Sequence, residues 1–404
     1  MHILKMIFHN VPLFKNGLEI DFTNSDTVRR AVDDTAYDLK VFKLKAGLYS
    51  HVLMAFTGLN ATGKTTVLEL LSMVSQIIID GEKLNDPNIQ ITLAKVFPGS
   101  EQNQDELSWD VIFAHEDFVY QLHSAVKQNH EAGKVQFYYK DEQLLRKSLK
   151  STKRDSLFDF SIDLAQSLTD RKKEGANPYL KADMSIAASL GTFSEKLRPV
   201  GIETFMNPPL WMGTPSQEVL HLFDPNISNL KIEAKENGTP ECRLRFRNQS
   251  NVVYGGSPFL LNRLLSSGTI RGLSIMPPIV QVLRNGGYVF IDEVENHFNK
   301  KIIEWFFQLF TDKRTNPHGA CLVFTTHYPE LLNEFSRKDN IFITRRDENY
   351  HCECVKYSDF ITRNELSKSK IILENAIQGT APRFTDLLNA HQFVEEAVRQ
   401  VNKS

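Results

Sequence analysis

The chain of 404 residues is 41% apolar and 24% charged, with a formal net charge of −2. That balance fits a soluble globular protein of two or three domains and excludes a global electrostatic pull towards nucleic acid or an anionic membrane. No stretch approaches the ~20 apolar residues that span a bilayer, and four cysteines without a pairing pattern suit a reducing, cytoplasmic location.

The opening segment "MHILKMIFHNVPLF" is too short and too broken by polar residues for a secretory leader. Residues 1–22 alternate apolar and polar positions and predict a β-hairpin turning at Asn16-Gly17. "HVLMAFTG" (51–58) predicts a buried strand, and Val67, Leu68, Leu71, Val74 and Ile78 predict a helix after it. "IQITLAKVF" and "LSWDVIFAHEDFVYQLHSAV" alternate like antiparallel strands. Residues 141–218 carry basic runs and few strand signals, and predict a helical insertion without sustained heptads. Strand alternation returns in "LKIEAKE" and "CRLRFRN", around an Asn237-Gly238 turn. From Leu260 the order is helix, strand, helix, strand, which predicts a parallel sheet covered on both faces. The tail from Asn364 reads as helical and polar-faced. The resulting segments are 1–140, 141–218, 219–340 and a C-terminal hairpin with helical tail, 341–404.

Between the first strand and helix lies "GLNATGKT". Gly58 and Gly63 let the backbone curl so that amide hydrogens face phosphate oxygens, and the next helix adds its positive dipole end. Lys64 is placed to reach the β- and γ-phosphates, and the Thr65 hydroxyl to ligate Mg²⁺. Asn60 and Thr66 complete the set of nucleotide-binding candidates. In "GGYVFIDEVE" a buried strand ends at Asp292, a second Mg²⁺ ligand, followed by Glu293 as the base for an attacking water. Without the phosphate loop, the same run would read equally well as a strand before an acidic helix start. "LLSSGT" sets Ser266, Ser267 and Gly268 before a helix, where free amides and a hydroxyl can meet a phosphate, although by itself the run reads better as an ordinary helix cap. Gly268 precedes Asp292 by 24 residues, and His327 follows it by 35.

In this order GLNATGKT, LSSGT, IDEVE and TTH resemble the ATP-binding cassette (ABC) superfamily in its SMC/OLD-like, non-transporter branch. Asn60 is similar to the asparagine of SMC and RecF loops. The resemblance implies an α/β fold: an ABC-type P-loop ATPase head with a mixed or parallel sheet flanked by helices, plus an N-terminal antiparallel β lobe. It implies ATP and Mg²⁺ as cofactors, and a homodimer that sandwiches ATP between one protomer's phosphate loop and the other's Ser266–Gly268. His327 would sense the γ-phosphate within its own protomer. "SSGT-x-R", "IDEVEN" and "GTAPRF" further resemble stand-alone ATPases of bacterial anti-phage systems, which act beside a nuclease or toxin. The 205 residues between Gly63 and Gly268 speak against a transporter cassette, and both Asp292 and Glu293 speak against an inert scaffold. An SMC/RecF-like DNA-repair ATPase is the alternative, with nucleic acid as a candidate partner. The roughly 75 residues after His327 are too few for a nuclease domain, so any destructive step falls to a separate effector.

His297 and Asn299 acquire no role from the sequence. "HCEC" (351–354) alternates like a strand and has no second Cys/His pair at zinc spacing. The basic runs 146–154 and 171–173 read as a solvated helix face more readily than as a phosphate-backbone contact. Residues 141–218 are the candidate surface for a trigger or partner.

Overall fold

The computed structural model describes residues 1–14, 17–26, 28, 40–97, 106–131, 134–161, 163–174, 180–189, 200–202, 214–234, 239–247, 254–257, 261, 263–347, 350–363 and 366–401. The N-terminal half contains strands β1 (His2–His9), β2 (Leu18–Asp21), β3 (Val41–Lys45), β4 (Leu48–His51) and β5 (Leu53–Gly58), then helices α1 (Lys64–Ser75) and α2 (Pro87–Val96). β6 (Leu107–His115), β7 (Phe118–Glu131), β8 (Lys134–Ser148) and β9 (Gln166–Asp170) follow, with short helices α3 (Arg171–Glu174) and α4 (Ile186–Ser189). The second half has β10 (Val200–Ile202), α5 (Gln217–Phe223), β11 (Ile227–Ala234), β12 (Pro240–Phe246), β13 (Tyr254–Gly256), α6 (Ser267–Asn285) and β14 (Tyr288–Ile291). It ends with α7 (Lys300–Thr311), β15 (Cys321–Thr326), β16 (Ile341–Arg346), β17 (Cys352–Lys356), α8 (Tyr357–Phe360), α9 (Lys368–Leu373) and α10 (Phe384–Val401).

Two six-stranded sheets organise these elements. One, β2-β1-β6-β7-β8-β9, is antiparallel throughout. The other, β10-β14-β15-β5-β16-β17, is parallel except for β17. Its central strands are apolar on both faces because both are covered, and the pleat sorts alternate residues between two cores. Met54, Phe56, Phe290 and Val323 join α1 and the antiparallel sheet in one core. Ala55, Ile291, Leu322 and Phe324 join α6 and α7 in the other. The Tyr288 hydroxyl, accepting from Ile3 N at 2.6 Å, ties the sheets together.

β1 and β2 pair as expected, and Asn16 of the expected turn lies, with Lys15, outside the described residues. Three local expectations change. "IQITLAKVF" is not a strand: Pro87 opens a helix, and Ile89, Thr92, Leu93 and Val96 bury one face at helical spacing. Among the described residues of 141–218, the expected helix is confined to short pieces, as 141–148 continue β8 and 166–170 form β9. The basic run 146–154 lies along a strand and loop, held by carbonyls and rings, while 171–173 fall in α3. Lys147 donates to Ser156 O and Asp159 O, Arg154 to Gly47 O, and Arg146 lies over the Phe118 ring. Finally, the tail helix α10 is not polar on all sides, as Phe384, Leu387 and Val394 stand exposed on it. The Asn237-Gly238 turn lies outside the described residues. No described helix is long and apolar enough to cross a membrane.

Candidate active site

β5 runs into the glycine-rich turn and α1 leaves it. A Cβ on Gly58 would lie 2.0 Å from the Thr344 carbonyl oxygen, so β16 approaches this closely only because residue 58 has no side chain. Gly63 has φ +94°, and a Cβ there would meet Phe14 and Leu13 inside 3 Å. Thr62 Oγ1 donates to Leu59 O and sits 2.7 Å from Thr344 Oγ1, bracing the turn against β16. Arg346 pins it from outside by donating to Ala61 O at 2.8 Å. Asn60 and Thr65 are exposed and Thr66 is half-buried.

Lys64, only 6% exposed, folds its ammonium back onto the Gly58 and Leu59 carbonyls at 2.9 and 2.8 Å. Burial pushes its pKa down to about 8, against the pull of Asp292, Glu293 and Glu295. The parallel register of β14 and β15 brings the acidic residues to the same edge. Thr65 Oγ1 donates to Asp292 Oδ2 at 2.9 Å, and Thr325 Oγ1 donates to Asp292 Oδ1 at 2.5 Å. The Thr325 hydroxyl also accepts from Glu293 N at 2.7 Å, where the chain turns with Glu293 at φ +47°. Glu293 Oε2 accepts from Asn296 Nδ2, and its Oε1 lies 3.4 Å from His327 Nε2. Glu295 Oε1 accepts from His327 N at 2.6 Å. The expected base and the expected sensor histidine are thus neighbours.

The Ser266–Gly268 segment reaches this cluster from the side. Ser266 caps α6 by accepting from Thr269 N at 3.0 Å. Ser267 Oγ lies 3.0 Å from His297 Nδ1, and a Cβ on Gly268 would come within 2.4 Å of His297 O. Among the described residues, the side-chain hydrogen bonds of Ser266 and Ser267 run to Thr269 and His297 and not to the phosphate loop. One turn into α6, buried Arg271 donates to Asp292 O at 3.1 Å. Its Nε and Glu295 Oε2 are buried without a partner. Burial lowers the Arg271 pKa, while Asp292, Glu293 and Glu295 oppose that shift. Asn299 is a helix cap, its side chain accepting from Lys301 N at the start of α7.

Arg271 lies in the SSGT-x-R run and Glu295 in IDEVEN, yet neither acquires a role from the sequence, and nor does His297; Thr325 and Thr344 are reached only through cross-strand register. Cys352 is buried in the core beneath the phosphate loop, with its Sγ 3.9 Å from Ala61 O.

Strand order and site together are those of an ABC-like P-loop ATPase head. The chain belongs to the family described as "AAA domain, putative AbiEii toxin, Type IV TA system", whose pattern matches residues 53–333. No curated protein matches it. Among solved structures, it is similar to the SMC head domain from Thermotoga maritima, at 10% identity and TM-score 0.37, over 88% of this chain and 99% of that one. An SMC head bound to the C-terminal winged-helix domain of ScpA is similar at 9% identity and TM-score 0.41, over 88% and 98%.

Proposed function

We propose that this chain binds and hydrolyses ATP as a dimerising switch that controls a separate nuclease or toxin effector in anti-phage defence. The observation that carries the catalytic part is the contact of Glu293 with His327 beside an Asp292 already bonded to Thr65. Thr65 Oγ1 and Asp292 Oδ2, two hard oxygen donors 2.9 Å apart, fit Mg²⁺. Bound there, the ion would supply charge compensation for the phosphates. Glu293 takes a proton from water, with its carboxylate oriented by Asn296 and His327. Lys64, displaced from the Gly58 and Leu59 carbonyls, supplies a phosphate-binding cation, and Ser266–Gly268, whose side-chain hydrogen bonds do not run to their own phosphate loop, act on the second protomer's nucleotide. The family's description as a toxin of a type IV toxin–antitoxin system supports coupling to a toxic effect.

Light scattering on Glu293→Gln with saturating ATP tests the switch. An ATP-dependent dimer is expected, and a chain that stays monomeric overturns the closure reading. A pull-down with the product of the adjacent gene, with and without ATP turnover, tests effector control, and a membrane permease in that position would overturn it.

A further inference from the structure

α10 leaves one whole side of itself uncovered. Residues 384–399 are all exposed, with Phe384 at 77% and Val398 at 58%. At ~100° per residue, Phe384, Leu387, Leu388, His391, Val394 and Val398 share one arc of the helix together with Glu395, and Asn389, Gln392, Phe393 and Glu396 lie on the other side. So wide an arc exceeds the narrow seam of a two-stranded coiled coil and suits a groove. A helix of this length is marginal alone in water, and its helicity calls for tertiary cover.

Among the described residues, the matching surface is an apolar groove along α6. It has a volume of about 830 Å³ and is lined by Val219, Leu273, Met276, Pro277 and Val280, with Arg284 at its rim. Val280 is 54% exposed there. The two surfaces lie at opposite edges of the parallel sheet. α6 packs on β10 and β14. α10 begins beside β16, where Arg383 and Asp386 line a pocket with Asn60, Thr62 and Arg346. At ~4.8 Å per strand the edges are roughly 20 Å apart. A head-to-tail ATP sandwich removes that separation, because one protomer's phosphate loop then meets the other's Ser267, the first residue of α6. The elements also match in length, at 18 and 19 residues, or about 27–29 Å each at 1.5 Å rise.

We propose that α10 of each protomer is a strap that crosses the dimer and docks its apolar side in the α6 groove of a second copy of this chain. Glu395, which stands within the apolar arc beside His391 and Arg399, supplies charge complementary to the partner's Arg284. The strap rests on the ATP-sandwich reading, and it makes the exchange reciprocal, closing the dimer instead of propagating a filament.

The test is ATP-dependent dimerisation by light scattering in a Glu293→Gln background. Leu387→Asp with Val394→Asp, or Val280→Asp alone, should raise the ATP concentration for half-dimerisation at least ~10-fold, or about 1.4 kcal/mol. Arg284→Glu should weaken the dimer, and adding Glu395→Arg should restore it. Unchanged dimerisation in the α10 variants overturns the strap and leaves the closure reading intact. A parent chain that stays monomeric in ATP removes the closure reading and the strap with it. A fall in the melting temperature of monomeric Val280→Asp would show that its own chain fills the groove, and also overturns the strap. So would an effector that binds α10 while dimerisation is unchanged.

Discussion

Glu142, at 0% exposure, has both oxygens filled: Ser185 and Ser124 donate to one, and Arg171 and Ile186 N to the other. The carboxylates around Arg271 are arranged differently. Arg271 Nε and Glu295 Oε2 are buried without partners, and Glu293 and His297 both turn the backbone at positive φ. Both clusters take an arginine and carboxylates out of water. The first satisfies them fully and fastens the β7–β8 hairpin to residues 184–187. The second leaves groups unsatisfied and a backbone at positive φ, which suits the proposed nucleotide site. Burial raises the Glu142 pKa, with Arg171 opposing, so even the completed cluster carries a desolvation cost.

The largest effect should come from the unsatisfied cluster. Glu293→Gln is expected to lower ATP turnover by ~10²–10⁴-fold while nucleotide binding is retained. Phosphate release measured beside equilibrium nucleotide binding checks this, and loss of binding would make Glu293 structural. In the satisfied cluster, Arg171→Met should cost ~3–5 kcal/mol of stability, because it strands Glu142 in the core. Denaturant unfolding reads the loss, while turnover per folded molecule should be unchanged.

His51 offers a third buried group, with neither ring nitrogen hydrogen-bonded. Burial pushes its pKa down to about 4, with Asp339 and Asp21 opposing. The unfolded chain takes up this proton below ~6.5 and the folded chain only below about 4. Its contribution to stability is therefore complete above ~6.5 and is lost as pH falls towards 4, amounting to ~3 kcal/mol. His51→Phe should flatten that part of the melting-temperature profile, and an unchanged slope would move the acid sensitivity elsewhere. The smallest effect is expected for Arg271→Met, about 1–3 kcal/mol in the nucleotide-free chain. Thermal melts with and without Mg-ATP should show this loss shrinking on ligand binding, as phosphate-bound cations take over the neighbouring carboxylates. The Arg171→Met loss should not shrink.

How much of this could be read beforehand follows the range of the interactions. The phosphate loop, the strands ending at Asp292 and Thr326, and the helix behind Ser266–Gly268 were legible because turn chemistry, apolar period and capping act within a few residues. The same local reading failed at 89–97, where Pro87 starts a helix inside an alternating run. It failed again at 141–148, where basic side chains on a strand resemble an exposed helix face.

By itself the sequence determined where a glycine-rich turn joins strand to helix, which buried strand leads into a carboxylate and which serine caps a helix. Only the tertiary structure decided that Thr325 joins Asp292 to Glu293, that Thr344 stands behind Gly58, and that Arg271 and His297 tie α6 to the acidic turn. Those contacts join residues 21 to 286 positions apart in the chain. Strand order and register create them, and no local pattern in the chain encodes either.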